Sequence, residues 1–287
     1  MSRPRKRVVT MTGAVQRRNF TVHDLIMQKG KSQLVQIMAF TTDEAAAAEA
    51  AGLDMINIRW NAQRPEDSLA MRHAAPETFM TFCLPPTLAA SPSEALRAGF
   101  TAMEAGADSI YCAWSMAFVE TLAAAGVPVM GHVGLVPRKS TWTGGLRAVG
   151  KTLAQARAIH RDLKALENAG AWAAECEVVP HNVMALLARH TGLVTISLGS
   201  GPDCDVQHLF GEDVLGTVDV APPRHAKNYT NFHQKYAALQ KDRIAAFATY
   251  AREVREGVFP APEHLVSASS DVLAELETLI AADTPAP

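Results

Sequence analysis

The chain has 287 residues, 48% of them hydrophobic and 20% charged, with a formal net charge of −2. That composition suits a single α/β barrel domain with a sizeable core, and the charge supplies no overall field for nucleic acid or an anionic membrane. No apolar run approaches the roughly 20 residues that span a bilayer, and the cysteines at 83, 112, 176 and 204 lack paired ligand spacing. No signal peptide is evident, so the expectation is a cytoplasmic protein with reduced thiols and neither membrane nor nucleic-acid partners.

In chain order, the basic cluster 3–7 reads as a solvated end within a flexible segment 1–20. Short apolar runs then alternate with helical patterns, predicting parallel strands joined by crossover helices. The strands fall at 34–39, 55–59, 78–83, 109–113, 127–132, 173–178, 194–198 and 214–220. Between them, Thr41-Thr42-Asp43-Glu44 is a capping signal opening an Ala-rich helix that stops at Gly52. Ser91-Pro92-Ser93-Glu94 opens another that ends near Gly106. Leu153, Ala156, Ile159, Leu163 and Leu166 share one face of a helix over 152–169. Two more helices are predicted at 232–256 and 272–281, before a disordered 284–287.

Eight strands with alternating helices fit a closed (β/α)8 TIM barrel over 21–265, followed by a C-terminal helix and tail at 266–287. No G-x-G-x-x-G follows the first strand, which argues against an open dinucleotide-binding sheet. In such a barrel, residues just past the carboxyl ends of the strands build the active-site mouth. Four stretches stand there: Gly131-His-Val-Gly-Leu-Val-Pro137, Glu175-Cys-Glu-Val-Val-Pro180, Ser197-Leu-Gly-Ser-Gly-Pro202 and Pro223-Arg-His-Ala-Lys-Asn-Tyr229.

In order and spacing these stretches resemble the ketopantoate hydroxymethyltransferase family, with its G-H-x-G-L-x-P, E-x-V-P and P-x-x-A-K-N-[FY] segments. The ending Glu256-Gly-Val-Phe-Pro and Glu263-His264 matches too, and the likeness runs from about Leu34 to His264. The resemblance implies a barrel of the phosphoenolpyruvate/pyruvate-like superfamily, a homo-oligomer (a decamer in the family), and a one-carbon transfer to a carbonyl substrate. In that chemistry Mg²⁺ holds an α-keto acid, a glutamate removes the proton beside the carbonyl, and the enolate attacks methylene-tetrahydrofolate. By the resemblance the base is Glu177, and the fifth-strand histidine is His132. The metal-binding positions are different here. Trp60, Cys83 and Ala113 stand in place of the two ligand aspartates and the supporting glutamate, and Tyr111 in place of the substrate-facing lysine.

Magnesium wants hard oxygen ligands, which those positions lack, so the matching residues predict no metal and a metal-independent site that kept its base. Trp60, Tyr111 and Trp114 are expected to line the mouth and favour a more apolar substrate. Asn61 is a candidate amide donor to a carbonyl, and Cys83 either a lining thiol or a buried structural one. Ser200 sits in a glycine-rich turn that either presents backbone N–H groups to an anion or is a plain tight turn. Glu175 shares a strand face with Glu177, as a second site carboxylate or an ion-pair partner inside the barrel. The implied activity is making or breaking a C–C bond next to a carbonyl, by hydroxymethyl transfer or retro-aldol cleavage. The alternatives are another lyase or hydrolase on the same barrel and a non-catalytic metabolite-binding homologue.

Overall fold

The structure, a computed structural model, describes residues 5–283; the start of the basic cluster and the expected disorder of 284–287 lie outside them. The chain divides into two compact units between Asn231 and Phe232. In the first, β1 (Lys6–Val9) and β2 (Val15–Arg18) form an antiparallel pair within the segment expected to be flexible. Helix α1 (Val22–Gln28) follows, held by a capping box in which Thr21 and Asp24 bond each other's backbone N–H.

The pair is fixed because its polar residues are used. Arg18, 2% exposed, donates from Nε to Asp108 at 2.7 Å and from Nη1 to the carbonyl of Pro76 at 2.8 Å. Asn19 accepts from the amide of Phe79 at 2.8 Å, and Phe20 and Leu25 are buried in one cluster with strand residues of the barrel floor.

Among the described residues, eight parallel strands close the barrel: β3 (Leu34–Met38), β4 (Met55–Arg59), β5 (Phe79–Cys83), β6 (Ser109–Tyr111), β7 (Val129–Gly134), β8 (Ala173–Glu177), β9 (Val194–Leu198) and β10 (Val206–Phe210). Each runs from the floor to the mouth, with β10 returning to pair with β3. Seven occupy the predicted segments. The eighth does not. Residues 214–220, predicted as the last strand, instead hold the end of a short helix, Gly211–Leu215, closed by Gly216 at φ +62°, and the strand itself is Val206–Phe210.

The outer helices form in their predicted segments, two of them at caps read from the sequence. Thr41, Ser91 and Thr152 each accept the backbone N–H three residues on, opening helices Thr42–Ala50, Pro92–Glu104 and Leu153–Asn168. Their apolar faces cover the outer side of the sheet in one buried cluster that includes Ile58, Phe82, Ile110, Ala174 and Cys176. The second unit holds helices Phe232–Arg255 and Ser270–Asp283, close to their predicted bounds. Among the described residues, no helix is long and apolar enough to cross a membrane.

Candidate active site

Side chains of a strand alternate between the two faces of the sheet, so the barrel interior takes every second residue. The floor is apolar: Leu34, Met55, Phe79, Met130, Ala173, Val194 and Val206 form one buried cluster with Phe20 and Trp172. Two residues further along, the alternation places Gln36, Asn57, Thr81, Tyr111, His132, Glu175 and His208 inside, joined only by apolar Ile196. A polar layer in a barrel core is unusual, since branched apolar residues normally fill it. Each polar atom there carries a desolvation cost unless partnered, yet neither amide atom of Gln36 or Asn57, nor Thr81 Oγ1, has a hydrogen-bond partner among the described residues.

The chemistry concentrates on the β6–β7–β8 side. Tyr111 Oη lies 2.5 Å from His132 Nδ1 and donates to Glu175 Oε1 at 3.2 Å. His132 Nε2 stands 3.2 Å from Glu177 Oε2 and 3.9 Å from Glu175 Oε1, and His208 Nε2 is 3.8 Å from Glu175 Oε2. Burial raises the Glu175 carboxyl above its ordinary value, with His132 pulling down and Glu177 pushing up. Burial also lifts the Tyr111 hydroxyl well above its usual range, helped by the charge of Glu175, so it keeps its proton. His208 is driven down to about 4 by burial and stays neutral. Two carboxylates, two imidazoles and a phenol therefore meet where the sequence singled out only part of the set.

The predicted residues separate into two groups. Glu177, His132 and Tyr111 come together, and Cys83 ends β5 on the same inner face, its thiol held protonated by burial. Trp60, Trp114, Asn61 and Ser200 do not join them. Trp60, 1% exposed, packs in the outer cluster and stacks on Phe82 with ring centroids 5.9 Å apart. Trp114 leans on the same cluster and donates from Nε1 to the carbonyl of Pro86 at 2.8 Å. The expectation of an apolar mouth rested on Trp60, Tyr111 and Trp114; of the three, Tyr111 faces the barrel interior, and the two indoles pack in the outer cluster. The Asn61 carbonyl caps its own loop, accepting from Gln63 and Arg64 amides. Ser200, 1% exposed, bridges the Cys176 carbonyl and the Val179 amide at 2.7 and 2.9 Å. It fixes the β8 exit and has no hydroxyl capacity aimed at a ligand.

Other residues at the rim carried no sequence signal. Arg59 closes β4 on the inner face, opposite Cys83 in register, with its guanidinium 5.7 Å from the ring centroid of Phe40. Phe40 meets Phe210 edge-on at 6.2 Å. The imidazole of His225 is half-buried, and its lowered pKa reflects burial opposed by the charges of Asp213 and Glu177. Strand parity would have picked out Arg59, because Asn57 and Arg59 must share a face. His208 was hidden by the misplaced eighth strand.

The donor set decides what a metal would find. At the positions matching the family's ligands, Trp60, Cys83 and Ala113 offer no carboxylate, so the ion implied by the resemblance does not fit there. Oxygen and nitrogen donors exist elsewhere: His132, Glu175 and Glu177 bring ligand atoms within 4.8 Å of one another.

Comparison with known proteins agrees with the architecture. The family model described as ketopantoate hydroxymethyltransferase matches residues 65–262. A 3-methyl-2-oxobutanoate hydroxymethyltransferase of Pyrobaculum islandicum is 35% identical over 263 residues, covering 82% of this chain and 95% of the relative. One of Thermus thermophilus is 35% identical over 266 residues, covering 85% and 98%. Among solved structures, a 2,3-dimethylmalate lyase of the PEP mutase/isocitrate lyase superfamily superposes with a TM-score of 0.51 at 12% identity, covering 92% of this chain and 98% of its own. An oxaloacetate acetylhydrolase does so at 0.50 and 10% identity, covering 91% and 94%. Likeness at that identity speaks for the barrel alone.

Proposed function

Because the chain belongs to the ketopantoate hydroxymethyltransferase family, we propose that it makes or breaks a carbon–carbon bond next to a carbonyl, with Glu177 as the base. The observation that carries this reading is the position of Glu177: the mouth end of β8, its side chain 13% exposed, beside the imidazole of His132. A carboxylate there reaches a substrate entering the mouth, while Glu175, two residues deeper, is shielded by Tyr111 and the two histidines.

The forward step moves one proton. Glu177 takes it from the carbon beside the carbonyl, and the electron pair of the broken C–H bond delocalises onto the carbonyl oxygen as an enolate. The enolate carbon then bonds to a one-carbon electrophile, whose C–N bond or C=O π bond breaks so that the departing nitrogen or the new alkoxide takes the pair and a proton; in reverse, the hydroxyl loses that proton, the C–C bond breaks and Glu177 returns a proton to the enolate carbon. Tyr111 holds the His132 ring at Nδ1, which leaves Nε2 directed to the reacting end. Arg59 offers a cation for a substrate carboxylate, and Phe40 and Phe210 offer apolar surface for its side chain. A branched α-keto acid such as 3-methyl-2-oxobutanoate, named in the relatives' activity, meets both requirements.

The test is product formation from 3-methyl-2-oxobutanoate with either methylene-tetrahydrofolate or formaldehyde as one-carbon donor. Glu177→Gln is expected to lower kcat by about 10²–10⁴-fold, the usual contribution of a positioned base. Activity in the variant equal to wild type removes Glu177 from the mechanism. Binding of the keto acid without turnover points to a non-catalytic homologue.

A further inference from the structure

The His132–Glu175–Glu177 cluster has a feature that base catalysis alone leaves unexplained. Tyr111 Oη can accept from His132 Nδ1–H at 2.5 Å while donating to Glu175 Oε1 at 3.2 Å, and in that arrangement the neutral ring presents its Nε2 lone pair to the carboxylates. That atom belongs to a side chain 3% exposed, and it makes no hydrogen bond of acceptable geometry although Glu177 Oε2 is 3.2 Å away. Such a lone pair facing two carboxylates is relieved by a proton on Nε2 or by a metal ion, and because Nε2 and Glu177 are not set as a hydrogen bond, the geometry favours the ion. Donors about 2.1 Å from a shared ion are themselves separated by about 3.0–3.4 Å, and the His132–Glu177 contact falls in that interval. Behind it, His208 is 1% exposed, with Nε2 3.8 Å from Glu175 Oε2.

We infer that His132 Nε2, Glu175 and Glu177 form a binding site for a divalent transition cation, on β7 and β8 rather than at the β4, β5 and β6 ends that match the family's metal ligands. The ligand chemistry selects the ion. One imidazole and two carboxylates suit Mn²⁺, Fe²⁺, Co²⁺ or Zn²⁺ better than Mg²⁺ or Ca²⁺, which prefer all-oxygen shells. Tyr111 acts from behind as the group that fixes the histidine tautomer, the arrangement metal-bound histidines use. The site stands independently of the reaction proposed above except at one residue. A Glu177 carboxylate bound to an ion is a weaker base, so occupancy slows a reaction that uses Glu177 as base.

The full chain, stripped with a chelator and dialysed, is titrated with Mn²⁺ while the paramagnetic signal of the free ion is followed. One ion per chain is expected to bind, and a hundredfold excess of Mg²⁺ is expected not to displace it. Glu175→Gln should weaken binding at least tenfold. Tyr111→Phe, which removes no ligand, should weaken it about 10–100-fold, the usual effect of losing a group that orients a ligand. If Glu175→Gln fails to fold, the Tyr111 variant decides alone, its fold checked by thermal melting. No Mn²⁺ bound by wild type, or binding unchanged in the folded variants, overturns the inference. Because no substrate is present, the result is independent of whether the catalytic reading holds.

Discussion

At the scale of single residues, the site is built from pairs whose meaning depends on geometry. His132 in isolation is one histidine at a strand end; with Tyr111 on Nδ1 and Glu177 beside Nε2 it becomes a ring with a defined direction. Arg59 gains its role from the Phe40 ring next to it and from facing the mouth. Arg59→Gln is expected to raise KM for an anionic carbonyl substrate about tenfold or more, with kcat much less affected, because a charge-assisted contact worth about 1.5–3 kcal/mol is lost; a steady-state comparison with an uncharged ketone checks it, since that substrate should not respond. Glu177, His132 and Tyr111 were legible in the sequence because a strand-end position and a family motif coincide on or beside them. Gln36, Asn57, Thr81 and His208 were not legible in that way. They lie mid-strand among apolar neighbours, and a polar residue there normally signals a break in burial rather than a second function.

At the scale of elements, the β8 exit carries the strain. Val178 adopts φ +48°, a conformation β-branched residues rarely take, immediately after Glu177. Its N–H bonds Leu198 at 2.8 Å and its carbonyl accepts from Val149 at 3.2 Å, so the turn is held from both sides. Across from it, Gly134 has φ +88°, and a Cβ there would stand 2.4 Å from the Glu177 carbonyl oxygen. Gly134→Ala should therefore displace the Glu177 main chain and lower both turnover and melting temperature, measured by kcat and thermal melting on the same preparation. At the floor, Asp205 ties three elements together: Thr195 N–H and Oγ1 at 2.8 Å each, the Gly30 N–H at 2.9 Å and Lys29 Nζ at 2.9 Å. Burial raises its pKa, but those bonds and the Lys29 charge outweigh it and hold the carboxyl below its ordinary 3.8. A depressed native pKa means the stabilisation is complete above about 3.8 and is lost as pH falls through that value towards the native one. Asp205→Asn is expected to cost about 1–3 kcal/mol at neutral pH, and urea midpoints should converge with wild type below pH 4. The eighth strand shows why such elements escaped the sequence. Residues 214–220 are more apolar than Val206-Gln-His-Leu-Phe210, so apolarity alone selects the wrong segment, whereas the polar inner face of β10 belongs to the site.

At the scale of the whole chain, the N-terminal pair and the floor form one electrostatic unit. Asp108 receives Arg18 at 2.7 Å and Arg72 at 3.0 Å, and the two arginines are 2% and 4% exposed. Removing the shared carboxylate leaves two buried cations, so Asp108→Ala should destabilise by about 3–5 kcal/mol or prevent folding, measured by denaturant unfolding. In the second unit, Tyr236, Leu239, Phe247, Tyr250 and Val254 recur at near-helical spacing and remain exposed. From that exposed face we propose a homo-oligomer; light scattering should give a mass several times that of one chain, and a monomer would contradict it. Barrel, helix caps and family were readable because strand periodicity and capping act locally and repeat along the chain. The carboxylate–imidazole centre needs five side chains from four strands, which no local pattern reports. The most direct measurement on that centre is exchange of the proton beside the carbonyl of 3-methyl-2-oxobutanoate, followed by NMR in D₂O with no one-carbon donor present. Wild type should exchange it and Glu177→Gln should not; exchange that survives the substitution, or none in the wild type, would contradict Glu177 as the base.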